Sequence, residues 1–238
     1  SYTGATQVLG GTLKMGAATV VAPGSLSGNI TGLPSATGGS IGPNSSVSVA
    51  SGATFDLNGY NTVVGALSGA GNVNLGSGAT LTLGGVNWET NLSSTSTRNT
   101  LSGVVSGTGN LTITGGQTVY LTNNANSFSG QVNINNGTLV VSNMGQLGTG
   151  TSTVSVNGVA SSSQIPGGML VVQGGTSGLT FNRNLDVSGR GQSNILGNSL
   201  LTIGNNTYTG VIATPNNSET RLFFGSGNTT FAVGSTLN

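Results

Sequence analysis

The side chains that could carry acid–base chemistry are few in this sequence of 238 residues. There is no histidine and no cysteine, and the four acidic residues, Asp56, Glu89, Asp186 and Glu219, lie far apart. Glycan-cleaving enzymes place two carboxylates across one bond, and no two of these residues are close in sequence. The lack of histidine removes the commonest general base and metal ligand. We therefore expect a protein that is not an enzyme and that needs no cofactor.

Trp88 is the only tryptophan, and it lies with Glu89 and Arg98 in the longest stretch without strand periodicity, residues 84–100. An indole ring can stack on a sugar or anchor a partner chain. The simpler interpretation, which we favour, is that Trp88 covers one edge of the core, because large apolar rings usually find burial. We keep Trp88, Glu89 and Arg98 as candidate contacts for a glycan or a partner protein.

Two kinds of ligand site are disfavoured by the residues around them. A calcium site needs several oxygen ligands, usually carboxylates, so at most a single ion held by Asp56 and backbone carbonyls remains open. The glycines at 65, 69 and 71 resemble a phosphate-binding loop, but no Lys-Ser or Lys-Thr pair follows them. We interpret these glycines as corners between strands.

The charge of the chain is close to neutral, with five basic and four acidic residues and a net charge of +1. Such a surface offers no electrostatic attraction for nucleic acid or an anionic membrane. No stretch approaches the roughly 18 apolar residues of a membrane-spanning helix. We therefore expect no nucleic-acid partner and no membrane insertion of this segment.

Short alternations of apolar and polar residues, bounded by Gly, Asn or Ser, predict strands with one buried face. The clearest lie between residues 103 and 143: Leu111-Thr112-Ile113, Val132-Asn133-Ile134 and Leu139-Val140-Val141. The same interpretation is given to Val47-Ser48-Val49, Phe55-Asp56-Leu57, Val154-Ser155-Val156, Leu170-Val171-Val172, Leu185-Asp186-Val187, Leu201-Thr202-Ile203 and Leu222-Phe223-Phe224. In each we expect the branched residues to point inward.

Internal repeats indicate how these strands are arranged. Residues 65–83 align without gaps with residues 103–121, and residues 1–15 align with residues 127–141. The repeated positions include Gly107, Gly109, Asn110, Gly130, Gly137, Thr138 and Leu139. Recurrence every 20–40 residues predicts a solenoid whose stacked coils share one core. We predict one continuous all-β solenoid over residues 1–238, with loop excursions at residues 31–44, 84–100, 160–168 and 213–220.

Two side-chain arrays follow from the same alignment. Asn72 and Asn110 occupy equivalent places, and we expect stacked Asn side chains that form a hydrogen-bonded ladder along a corner. Tyr2, Phe128 and Tyr208 share another repeat position, which predicts an aromatic stack inside the solenoid.

The segments GTGNLTITG and NSFSGQVNINNGTLVV resemble the autotransporter-associated β-strand repeat of very large bacterial surface proteins, and SYTGATQVLGGTLKM resembles the second half of that repeat. The resemblance implies a right-handed parallel β-helix that is exported and displayed at the cell surface. It implies no catalytic residue, because the family carries none in the repeat.

The two ends of the sequence look like halves of one repeat, since residues 225–231 resemble residues 107–113 and residues 1–15 resemble a second half. We expect a segment of a longer array, or a subunit that stacks head to tail. The predicted function is a structural or adhesive rod, extracellular or at the cell surface, that self-associates end to end or laterally and contacts surface glycans or host matrix. Two alternatives stay open: a carbohydrate-binding or carbohydrate-cleaving β-helix using residues 84–100, and a phage tail or spike segment.

Overall fold

The structure, a computed structural model, describes residues 4–18, 41–43, 45–84, 98–157, 167–188, 199–214, 220 and 222–232. Within these ranges the chain forms strands and one short 3₁₀ helix, Met144–Leu147, but no α-helix. The strands pair in parallel throughout these ranges and form three sheets. The all-β prediction and the parallel pairing are confirmed, and the described residues contain no helix long and apolar enough to cross a membrane.

Sheet 1 has ten strands and runs through all of the described chain. Its strands are β1 (Thr6–Val8), β3 (Ser46–Val49), β6 (Ala66–Gly69), β9 (Arg98–Leu101), β12 (Gln117–Leu121), β14 (Gly137–Val141), β16 (Met169–Phe181), β18 (Leu200–Tyr208), β20 (Leu222–Phe224) and β21 (Thr229–Phe231). Both β20 and β21 pair with β18.

The two other sheets are smaller. Sheet 2 has four strands: β2 (Thr12–Lys14), β4 (Thr54–Asp56), β7 (Asn72–Asn74) and β10 (Val105–Ser106). Sheet 3 has seven: β5 (Thr62–Val64), β8 (Thr80–Leu83), β11 (Asn110–Ile113), β13 (Val132–Ile134), β15 (Val154–Asn157), β17 (Leu185–Ser188) and β19 (Ile212–Ala213).

The chain visits the sheets in a recurring order, and each return to sheet 1 begins what we call a level. Strands β3, β4 and β5 lie on sheets 1, 2 and 3, and β6, β7 and β8 repeat that order. Neighbouring levels are about twenty residues apart where the chain between them is described, as in the pairing of Thr118 with Thr138. Gly69 instead pairs with Leu101, because residues 85–97 intervene.

One apolar core joins the three sheets. Val47, Phe55 and Val64 come from sheets 1, 2 and 3 and belong to the same buried cluster. Alternation produces it: in β13, Val132 and Ile134 are buried while Asn133 is half-buried, as the sequence predicts. Parallel sheets need their apolar face covered, and here the facing sheets cover one another.

Sheet 1 carries an inward-facing row of side chains from its first strand to its last, which we call the Val8–Phe224 line. The pairing runs from Val8 to Val49 and ends with Thr202 beside Phe224. Its members, in order, are Val8, Val49, Gly69, Leu101, Leu121, Val141, Val172, Thr202 and Phe224; successive members pair, except that Leu121 and Val141 are the residues directly after the paired Tyr120 and Val140. Each level therefore covers the side chain of the level before it.

The predicted orientation of Leu201-Thr202-Ile203 is wrong by one residue. Thr202 is buried in the core, and Leu201 and Ile203 are only half-buried on the other side of β18. A shift of one residue moves every side chain of a strand to the opposite face. The polar Thr202 is tolerated inside because its hydroxyl accepts a hydrogen bond of 2.7 Å from Asn206 Nδ2.

The aligned repeats lie on different sheets. Strand β7 of sheet 2 aligns with β11 of sheet 3, and β8 of sheet 3 aligns with β12 of sheet 1. In the second alignment, β1 of sheet 1 corresponds to β13 of sheet 3. Each repeated unit therefore contains consecutive strands, and its second copy is displaced by one sheet relative to the first.

Most of the predicted excursions fall outside the described residues, but their borders are visible. The excursion at residues 84–100 ends earlier than predicted, since Arg98 already begins β9 and pairs with Thr118 of β12. The excursion at residues 213–220 begins later than predicted, because Ala213 still belongs to β19. In both cases backbone pairing with a neighbouring level extends the strand beyond its apolar residues.

Candidate functional site at the open edge of sheet 1

Sheet 1 has two edges among the described residues. Strand β1 pairs only with β3, while β20 and β21 pair only with β18. An edge strand presents a row of backbone N–H and C=O groups to any chain that can pair with it. The two edges are therefore the places where this sheet could be extended.

The edge at β20 and β21 is aromatic and exposed. Phe223, Phe224 and Phe231 have 46 %, 46 % and 41 % of their surface accessible to solvent. Elsewhere phenylalanine is fully buried, as at Phe128 and Phe181, which are 0 % exposed. Large exposed apolar side chains that lie together are typical of an interaction surface.

Two of these three rings point in the direction of the core. Phe224 ends the Val8–Phe224 line above Thr202, and Phe231 lies beside Tyr208, a residue that is 1 % exposed. Phe223 pairs with Leu201 and is on the outward side. The exposed surfaces of Phe224 and Phe231 are thus the ones that a further level would cover.

The rings form a column that ends at this edge. The ring centroids of Phe181 and Tyr208 are 5.6 Å apart, and those of Tyr208 and Phe231 are 5.8 Å apart with nearly parallel planes at 27°. Phe224 meets Phe231 edge-on at 6.0 Å. Both arrangements are favourable for aromatic pairs.

The predicted aromatic stack is therefore correct in kind but not in membership. Tyr208 stacks on Phe181 and Phe231, not on Phe128, which is buried beside Val105 several levels away. Tyr2 lies outside the described residues. The aligned segments do not include Phe181, and they place Phe231 opposite Ile113.

A small polar cluster lies beneath the aromatic edge. Asn206 Nδ2 also donates to the carbonyl oxygens of Ile203 and Gly204, at 3.1 and 3.2 Å. The Thr202 and Thr229 hydroxyl oxygens are 3.4 Å apart. These bonds hold the corner between the two halves of β18 and fix β21 upon it.

The hydroxyl of Tyr208 is buried without a partner of good hydrogen-bond geometry. Burial raises the pKa of Tyr208 to about 12, and the nearby Thr202 hydroxyl opposes this only weakly. Burial has this effect because the charged phenolate loses its hydration. The aromatic column therefore depends on an uncharged Tyr208.

The opposite edge is formed by β1 and β2, and the Val8–Phe224 line begins there. Val8 begins the Val8–Phe224 line and is 6 % exposed. Leu13 of β2 is half-buried beside Phe55, and Leu9 is 76 % exposed. This edge is apolar as well, with small aliphatic side chains where the other edge has rings.

The candidate contacts predicted from the sequence are not brought together among the described residues. Trp88 and Glu89 lie outside these residues, and Arg98 begins β9. Asp56 is half-buried and accepts hydrogen bonds from the Asn58 N–H and Asn74 Nδ2. Where the chain is described, no three residues of the metal-ligating types cluster.

No family model matches this chain, and no curated protein or solved structure matches it either. The resemblance to the autotransporter-associated repeat therefore stays a prediction that rests on the quoted residues. The geometry of the site has to carry the functional argument.

The repeated glycines lie where two levels touch. A Cβ on Gly109 would come within 2.6 Å of the Leu75 and Ala79 carbonyl oxygens, and one on Gly130 would overlap the Gly109 carbonyl. A Cβ on Gly107 would come within 2.8 Å of the Gly76 backbone, and Gly107 also has a φ of +101°. Side chains are excluded at these corners, as they are at Gly137, whose Cβ would meet the Gln117 carbonyl oxygen at 2.8 Å.

The other repeated residues contribute to packing and hydrogen bonding. Thr138 and Leu139 of β14 are buried, at 4 % and 0 % exposure. The side chain of Asn110 accepts a hydrogen bond of 2.8 Å from the Gln131 N–H of the next level. Asn72 does the same for the Val104 N–H at 3.1 Å.

The predicted Asn-to-Asn ladder is therefore wrong for Asn72 and Asn110. At these corners the backbone N–H of the next level has no strand carbonyl in front of it. The carboxamide oxygen of the Asn accepts its hydrogen bond instead. The same contact recurs from Asn61 to Thr80, from Asn184 to Val211 and from Asn205 to Asn228. A direct Asn-to-Asn bond occurs at a different place, from Asn157 Nδ2 to Asn135 Oδ1.

Proposed function

We propose that this chain is a non-enzymatic structural segment, a right-handed β-solenoid rod that extends by stacking head to tail on further copies of itself. The observation that carries the proposal is the Val8–Phe224 line, an inward-facing row that begins and ends at strands with no second partner among the described residues. An extracellular or cell-surface location, and contact with surface glycans or host matrix, rest on the repeat resemblance alone.

Closure of the three sheets into a solenoid is supported by the order in which the chain visits them. The succession of sheets 1, 2 and 3 recurs in the early levels, and one buried cluster contains side chains from all three. A path that returns to the same sheet about every twenty residues is the path of a chain that winds around such a cluster, and this supports the proposed closure. Right-handedness is the usual sense for parallel strands joined by such crossings.

The occupant that we propose for the aromatic edge is the β1 edge of a second copy. Val8, which is 6 % exposed in the single chain, would be the next residue of the line after Phe224, and the exposed Leu9 would supply apolar surface at the junction. Leu13, half-buried on β2, would approach Phe231 on the neighbouring face. Backbone groups of β20 and β1 would pair as parallel strands, which is strand addition between two sheet edges.

The low charge of the chain favours this association. Five basic and four acidic residues leave little repulsion between copies. Burial of exposed apolar surface at the junction would supply the driving force, at about 25 cal/mol per Å² removed from water.

Sedimentation over a concentration series, followed by electron microscopy of the largest species, tests the proposal. We expect linear polymers with an axial repeat of about 40–45 Å, because each copy contributes nine successive strands of sheet 1, counted from β1 to β20, at roughly 4.8 Å each. A protein that stays monomeric at every concentration would contradict the stacking. A closed trimer would favour the spike alternative instead.

A further inference from the structure

Arg183 is a buried cation in a chain with few charges. It lies between β16 and β17 and is 5 % exposed. No carboxylate among the described residues forms an ion pair with it. A charged side chain is almost never buried in this way unless its hydrogen-bonding groups are satisfied.

The backbone satisfies part of the guanidinium. Nε and Nη2 donate to the Ser152 carbonyl oxygen at 3.0 and 2.6 Å, and Nη1 donates to the Leu147 carbonyl oxygen at 3.0 Å. A guanidinium has five N–H donors. Two of them have no acceptor among the described residues, and neither Asp56 nor Asp186, the described acidic residues, forms an ion pair with the guanidinium.

A cavity of about 260 Å³ opens beside this group. Three glycines, at positions 145, 148 and 150, form the part of its wall that has no side chains. Met144 is the one apolar side chain that lines it. Thr149, Thr151 and Asn182 line it as well and are exposed, so the cavity opens to solvent between hydroxyl and amide groups.

We propose that this cavity binds the carboxylate of an acidic sugar, such as a uronic acid unit of a polysaccharide, against Arg183. A carboxylate supplies the missing negative charge and two acceptors in the planar arrangement that a guanidinium prefers. The hydroxyl and amide groups at the mouth suit a hydroxylated ring, whereas a wall with one apolar side chain does not suit an apolar ligand. The volume is below the roughly 300–1,000 Å³ of pockets for drug-sized ligands, so one sugar ring is the expected size.

This site does not depend on the stacking proposed above. Arg183 belongs to the level of β16 and β17, while the exposed aromatic edge is formed by β20 and β21. Failure of the chain to polymerise would leave the sugar site intact. Failure of the cavity to bind a sugar would equally leave the proposed stacking untouched.

Titration of the full chain by NMR, with glucuronate as the probe, tests the site. We expect saturable shifts at the glycines of the cavity wall, and binding at least about tenfold weaker for neutral glucose, which lacks the charged acceptor. N-acetylglycine presents a carboxylate without the ring and should also bind at least about tenfold more weakly. Equal binding of glucuronate and glucose, equal binding of glucuronate and N-acetylglycine, or no saturable shift would each overturn the proposal.

Two variants and one control locate the binding. Thr151→Trp fills the exposed mouth and should abolish the glucuronate shifts without disturbing the core, while Ser48→Trp, at an outward exposed position of β3, should leave them unchanged. Arg183→Lys keeps the charge but loses the planar fork, so affinity should fall by about tenfold or more. If Arg183→Lys does not fold, Thr151→Trp still decides, because undiminished binding to that variant would place the ligand elsewhere.

Discussion

Phe224 lies directly beside Thr202 on the inward face of sheet 1, yet Phe224 is 46 % exposed and Thr202 is 1 % exposed. The two residues share a side-chain direction and differ in what lies above them. Thr202 is covered by β20, whereas nothing among the described residues covers Phe224. Phe224 thus occupies a position that is buried in most of the earlier levels, but at the edge its ring is exposed apolar surface. This exposed ring is the basis of the proposed stacking.

A charge at Phe224 should block self-association. In Phe224→Lys the ammonium group would have to be buried between two levels, which is costly without a partner. Phe223→Lys is the matched control, because Phe223 is equally exposed but faces outward beside Leu201. We expect sedimentation to give monomers for Phe224→Lys and polymers for Phe223→Lys, and equal behaviour of the two variants would contradict an inward-facing junction.

Loss of the Asn126 side chain should destabilise the protein by about 2–4 kcal/mol. This side chain, 4 % exposed, accepts from the Val105 N–H and donates to the Gln146 carbonyl, both at 2.8 Å, so Asn126→Ala leaves two buried groups unpaired. Asn123→Ala removes a similar pair of bonds that water can replace, and it should cost less than about 1 kcal/mol. Urea unfolding of both variants measures the difference, and similar losses would show that burial is not the cause.

A methyl group at Gly130 should be far more harmful than one at Gly16. A Cβ on Gly130 overlaps the Gly109 carbonyl of the neighbouring level, while one on Gly16 meets nothing within 4 Å. We expect Gly130→Ala to lower the unfolding free energy by more than about 2 kcal/mol and Gly16→Ala to change it by less than about 0.5 kcal/mol. Thermal unfolding followed by circular dichroism checks both values, and a tolerant Gly130 would mean that the levels do not touch there.

Stability should fall at alkaline pH because of Tyr208. Its pKa is raised to about 12 in the folded protein, above the value of about 10 for an unfolded chain. The stability that comes from burying the neutral phenol is therefore complete below pH 10 and is lost as the pH rises from about 10 through 12, by roughly 2–3 kcal/mol in total.

Tyr208→Phe removes this ionisation together with a buried hydroxyl that has no partner of good geometry. We expect the variant to be as stable as the original protein at pH 7 and more stable at pH 12. Urea unfolding from pH 7 to 12 gives the difference between the two proteins. Parallel pH profiles would show that Tyr208 ionises without cost to the fold.

The sequence predicts the strands well because alternation is a local signal. Val132 and Ile134 are buried as expected, and the parallel arrangement follows from the repeats. The orientation of β18 could not be obtained this way, since Leu201 and Ile203 are apolar but face outward. Thr202 is tolerated in the core because Asn206, four residues further along the same strand, donates a hydrogen bond to its hydroxyl, and an alternation pattern does not show such a bond.

The candidate site was harder to predict than the strands. The alternation pattern predicts a strand that contains Phe223 and Phe224. Their exposure could not be predicted, because it arises from the position of β20 at the edge of sheet 1, which only the sheet order shows. Arg183 gave no signal at all, because its partners are backbone carbonyls more than thirty residues away in sequence. A lone arginine between two strands is ordinarily a surface residue.

The placement of matching repeats on different sheets has a genetic consequence. Recombination between equivalent points of residues 65–83 and residues 103–121 would delete thirty-eight residues and join a strand of one sheet to the sequence that follows a strand of the next sheet. Every strand downstream would then move by one sheet. In the proposed solenoid, exchange between such copies would therefore re-aim the loops as well as shorten the chain.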